Sequence, residues 1–185
     1  MNWGFCWRRS LSGVILRRRI RVSDKGFFRR LAEQGFVALT FGWALTLILV
    51  PFLLAHTEEK RVLTAVSAGT YIFAGVICHQ LPERSFRPWG VQMPVCARCA
   101  GLYFGGAVGA LAAGITRRRD SARNRAEMLS LRWVLLASAL PTGMSFMAEL
   151  GGWFPVGEEL RAVAAVPLGA TVTWVANLVI RGELA

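Results

Sequence analysis

Residues 35–55 read GFVALTFGWALTLILVPFLLA, with no ionisable side chain among them. A hydrocarbon core about 30 Å thick takes roughly 20 apolar residues of helix to cross, and this stretch is long enough. No water reaches that depth, so a single segment must satisfy its own backbone N–H and C=O groups, which a helix does. Four more apolar segments follow, at 62–78, 95–116, 131–150 and 162–180. The second, VLTAVSAGTYIFAGVIC, is short for a crossing. No alternating run of useful length marks a strand, and no solenoid-type repeat is present. The expected fold is all-α: an integral membrane helical bundle of about five transmembrane helices, with the lipid bilayer as first partner. Short connections make neighbouring helices antiparallel.

The chain has 185 residues, enough for one domain, and 54% of them are hydrophobic. Soluble domains carry about 45–50% apolar residues, and here the excess is concentrated in the five segments. Two regions follow: a basic N-terminal arm at 1–34 and a bundle domain at 35–181. The arm is no secretory signal, because SGVIL is too short for its apolar region. It reads as an interfacial segment touching anionic lipid, or as an extension ahead of a start at Val14 or Val22.

The formal net charge is +11. The arginines cluster at the ends of apolar segments, in WRRS, LRRRIR, FFRR and TRRRD, where positive charge flanks a membrane. That placement argues against a nucleic-acid partner. It also creates a conflict. Arg8, Arg9, Arg17, Arg18, Arg19, Arg21, Lys25, Arg29 and Arg30 precede the first span, and RRRDSARNR follows the third. Basic segments stay on the cytoplasmic side. Five crossings put these two on opposite sides. Discounting the arm turns the 78–96 hinge outward, the orientation favoured here; keeping it turns the hinge to the cytoplasm. Either way, parity puts the hinge on the side of the 150–161 loop, with His56 on the other.

Gly101, Gly105 and Gly109 recur every four residues, a small-residue ridge that lets another helix approach closely in lipid. Ala165, Gly169, Thr173 and Asn177 form a similar row. The ridges serve bundle packing or a homo-oligomer contact.

The polar hinge, CHQLPERSFRPWGVQMPVC, opens with Cys78 and His79 and closes on the Cys96-Ala-Arg-Cys99 pair. Pro94 is placed to start the third helix, with the CxxC in its first turn. A helix N-terminus and the neighbouring Arg98 both favour thiolate. Cys78, His79, Cys96 and Cys99 are candidate metal ligands, a set that suits tetrahedral zinc. Adjacent Cys78 and His79 do not both turn readily to one ion, so one of them is a candidate outer-sphere group. Glu149 or water then fills the fourth position. The alternative is a thiol–disulfide oxidoreductase cycling Cys96 and Cys99. A third reading is a structural protein whose thiols only pack. Candidate catalytic residues are Cys96, Cys99 and Glu149, an acid at the end of an apolar segment. Arg84, Ser85, Arg98, Tyr103 and Arg161 are candidates for anion binding or for supporting the ligands, with Arg161 the expected ion-pair partner of Glu149.

Cys78-His79-Gln80, Pro82-x-Arg84-Ser85-Phe86 and Cys96-Ala-Arg98-Cys99 with Gly101, Tyr103 and Gly105 resemble the DUF2085 family of predicted bacterial and archaeal multi-pass membrane proteins. The resemblance covers roughly residues 35–180. It implies a multi-pass protein of the cell membrane with its site at the hinge, and names no substrate. The family's Asp after Leu-Pro is missing after Pro141, where Glu149 is the nearest acid. Arg161 and Gly169 fit its last motif without the Asn.

Overall fold

The computed structural model describes residues 5–57, 60–116, 125–153 and 155–182, with side chains within 26–57, 63–115, 130–153 and 155–182. Cys6 and the side chains of the 117–125 loop fall outside that set. The described residues form five α-helices and no strand: α1 Phe5–His56, α2 Lys60–Ile77, α3 Ala97–Thr116, α4 Arg125–Leu150 and α5 Glu158–Arg181. The basic arm continues into the first span as one helix.

Four stretches are long and apolar enough to cross a membrane: Gly26–His56, Ala97–Ile115, Ser130–Leu150 and Glu158–Arg181. The apolar part of α2, Leu63–Ile77, is shorter. The sequence predicts about five crossings; four of the five helices are long and apolar enough, and the helix directions fit four. The backbone at Gly101, Gly105 and Gly109 touches Ala162, Val166 and Ala170 in that order, so α3 and α5 run parallel. α1 runs against both. Its Trp43 ring lies 5.9 Å from that of Tyr103. Near the start of its apolar span, α1 brings Glu33 to Arg181, which also donates to the Ala113 carbonyl at 2.6 Å. If α2 crossed, α1 and α3 would be parallel. Instead α2 and the hinge return the chain to the end where α1 stops. There the Trp89 ring of the hinge lies 5.2 Å from Phe52 and 6.1 Å from His56. The parity expectation for His56 is therefore corrected: it shares an end with the hinge, because α2 adds no crossing.

The bundle has two ends. At one, Glu33, Ala113 and Arg181 meet, and the arm and the 117–124 connection adjoin that end in sequence. At the other lie the hinge, the end of α4 and the N-termini of α3 and α5. The conflict between the two basic segments disappears, since four crossings put both on one side.

α3 is the central helix. A Cβ on Gly101 would lie 2.0 Å from the Ala162 carbonyl oxygen, and one on Gly109 2.0 Å from that of Ala170. Gly169 answers from α5, its virtual Cβ 2.1 Å from the Leu102 oxygen. Lipid tails are as apolar as leucine, so close backbone contact supplies the attraction that burial gives a soluble core. Thr173 tightens the pair, its hydroxyl donating to the Gly106 carbonyl at 2.8 Å. The ridge, expected to serve bundle packing or a homo-oligomer contact, packs against α5 of the same chain. Outward faces keep large apolar side chains exposed, among them Leu39, Ile72, Ile115, Leu140 and Val163, as a lipid-facing surface requires. α5 carries Glu158 and Glu159 in its first turn and Arg181 in its last, complementing its dipole.

Candidate metal centre

The hinge is built to close on itself. Pro82–Arg84 and Pro88–Gly90 form single 3₁₀ turns. Gln80 sits at φ 49°, and its side-chain amide donates to the carbonyls of Tyr71 and Pro94, each at 2.7 Å. Gln92 returns the bond, its amide donating to the Gln80 carbonyl at 2.8 Å. The Tyr71 hydroxyl donates to the Gln92 carbonyl. These bonds pin the end of α2 against the start of α3, which carries Cys78 to Cys96. The Cys96 backbone N–H donates to Cys78 Sγ at 3.1 Å.

The Sγ atoms of Cys78, Cys96 and Cys99 all lie within 4.8 Å of one another. Zinc–thiolate bonds of about 2.3 Å make a tetrahedron with edges of about 3.8 Å, so three such sulfurs are within reach of one ion. Cys78 is buried, the other two are partly exposed, and none forms a disulfide. The cluster rests on a small core of Leu47, Ala74, Met93, Val95 and Ala100. Tyr103, a candidate supporting residue, packs against that core.

Cys96 precedes α3 rather than opening its first turn, and takes the N-cap position. The Cys99 thiol donates to Cys96 Sγ and, with the backbone N–H groups of Cys99 and Arg98 and the Cys78 thiol, holds it down to about 5 against the cost of burial. A sulfur at a helix N-terminus is stabilised as thiolate in this way. The Arg98 side chain, expected to assist, turns elsewhere.

It turns to Glu149. Arg98 Nη2 lies 2.8 Å from Glu149 Oε2, with its guanidinium 5.2 Å from the Phe146 ring centroid. Arg84 and Arg161 reach Glu149 Oε1 at 2.9 and 3.3 Å. The predicted Glu149–Arg161 pair is therefore part of a three-to-one cluster. A cavity of about 290 Å³ opens beside it, lined by Arg84, Arg98, Arg161, His79, Leu81 and Phe146, with Cys96 on its wall.

Two candidates stand apart. His79 is exposed and outside the three-thiol group, since its neighbour Cys78 takes the inward position. Ser85 is fully buried and donates to the Leu81 carbonyl at 2.8 Å, which closes a turn and leaves no hydroxyl for an anion. Sequence reasoning missed Tyr71 and Gln92 and read Gln80 only as part of a motif. Two glutamines flanking a short Pro-rich hinge were the available signal, since an amide both donates and accepts.

The profile of a family described as "Predicted membrane protein (DUF2085)" matches residues 78–175, more than half of the chain and including all three thiols. The chain belongs to the DUF2085 family. An uncharacterized protein of Methanocaldococcus jannaschii is 29% identical over 130 residues, covering 70% of this chain and 80% of its own. An uncharacterized protein of Methanothermobacter thermautotrophicus is 34% identical over 95 residues, covering 50% of this chain and 78% of its own. No solved structure matches. Membership in DUF2085 carries a membrane setting and leaves the activity to be argued from the site.

Proposed function

We propose that this DUF2085 protein holds a transition metal ion, with zinc the best match, on the thiolates of Cys78, Cys96 and Cys99. The observation that carries the reading is the mutual approach of the three sulfurs within 4.8 Å. Thiolate ligands suit zinc among the common divalent ions, and three protein ligands leave a fourth position open. Water is the candidate for that position, since His79 lies outside the thiol group and Glu149 is held by three arginines. The acidity of Cys96 favours ligation at neutral pH, since a thiol must lose its proton to bind.

The site belongs on the outer face of the cell membrane in this proposal. The basic arm and the 117–125 loop adjoin the opposite end, and lysine- and arginine-rich segments stay in the cytoplasm. Trp153, exposed in the connection after α4, reports the orientation. A Trp153→Cys variant in intact cells should react with a membrane-impermeant maleimide; labelling only after lysis reverses the assignment.

Metal content of detergent-purified protein, measured by mass spectrometry without chelators, tests the reading. About one ion per chain is expected in the wild type and none in Cys96→Ser/Cys99→Ser. Metal-free protein with a Cys96–Cys99 disulfide would replace metal binding with thiol–disulfide exchange.

A further inference from the structure

Beside the thiols, the hinge end gathers charge around Glu149. Three guanidinium groups face the single carboxylate of Glu149, a surplus of two positive charges. Arg98 and Arg161 are largely enclosed, their side chains 18% and 13% exposed. Each keeps a buried Nε with no acceptor. Buried donors are ordinarily paired, and an orphan on a charged group marks a missing acceptor. The N-termini of α3 and α5 come to the same end of the bundle, adding the positive poles of two helix dipoles. The α5 N-cap is Gly157, which offers no side-chain acceptor to its first N–H groups. The adjoining cavity, about 290 Å³, is near the lower limit for small-ligand sites.

We infer that this cavity binds a phosphate-type dianion, held by Arg84, Arg98 and Arg161, as a free phosphomonoester or as a lipid headgroup. A phosphomonoester carries about −1.5 to −2 charges at neutral pH, which matches the surplus. Planar guanidinium forks suit its oxygens. Leu81 and Phe146 give the cavity an apolar wall for a short organic group. Glu149 orients the three arginines while leaving them two charges in excess. The site stands on these side chains and not on the proposed metal, although a ligand held here lies beside Cys96.

The test is calorimetric titration of the detergent-purified full chain with inorganic phosphate and with phenyl phosphate. Nanodiscs with and without phosphatidic acid form a parallel arm, read by the lipid that copurifies. Saturable binding of a soluble probe assigns a free ligand. Selective retention of phosphatidic acid without soluble binding assigns a headgroup. Either is expected to weaken at least tenfold in Arg98→Gln and in Arg161→Gln, while Arg98→Lys keeps part of it. Circular dichroism identifies variants that remain helical. Wild-type protein stripped of metal by a chelator and still helical is expected to bind phosphate within about threefold of untreated protein. Absence of both kinds of binding in helical wild-type protein overturns the inference. So does unchanged binding in both glutamine variants. Loss on metal removal alone overturns it too, by assigning the anion to the metal.

Discussion

The two ends of the bundle bury charge in opposite ways. At the arm end, Arg181 and Glu33 are 7% and 8% exposed, and Arg181 spends its donors on Glu33 and the Ala113 carbonyl. That arrangement joins α1, α3 and α5. At the hinge end, one carboxylate is shared among three arginines, two of which keep an orphaned N–H beside a cavity. A buried pair with its donors placed is a structural lock. A buried cluster with surplus charge and unused donors is prepared for something that arrives from outside.

The largest effect should come from breaking the lock. Glu33→Gln removes the buried carboxylate that Arg181 binds and should cost about 3–5 kcal/mol of stability in detergent. Added phosphate should not restore it. Glu149→Gln should cost less, about 1–3 kcal/mol, because its three arginines border an open cavity. Millimolar phosphate should recover much of that loss by supplying the missing negative charge. Equal rescue of both variants in thermal unfolding would show a general salt effect and erase the distinction. Arg84→Gln should be mildest, within about 1 kcal/mol, since Arg84 is 44% exposed and water screens its pair.

Much of this architecture was legible in the sequence. Hydropathy located the long spans because lipid imposes a length on each. The cysteine motif placed the three thiols, and parity brought Glu149 and Arg161 to the hinge side. The shortness of α2 was read, but its consequence for the topology was not, although two signals pointed to it. Its segment was the shortest, and five crossings left two basic segments on opposite sides of the membrane. Removing one crossing between them resolves both. The Glu33–Arg181 contact spans 148 residues, and no local pattern announces it. The hinge staples made by Gln80, Gln92 and Tyr71 were equally hidden, because side-chain bonds to backbone carbonyls follow no periodicity. Ser85 was carried as a candidate for anion binding or support, and its hydroxyl closes a turn on the Leu81 carbonyl.

X-ray absorption at the metal edge of the zinc-loaded protein tests the central claim most directly. Three sulfur scatterers at about 2.3 Å with one lighter atom at about 2.0–2.1 Å are expected, losing one sulfur or the whole metal signal in Cys99→Ser. A shell of nitrogen and oxygen alone, unchanged in that variant, would contradict a three-thiolate site.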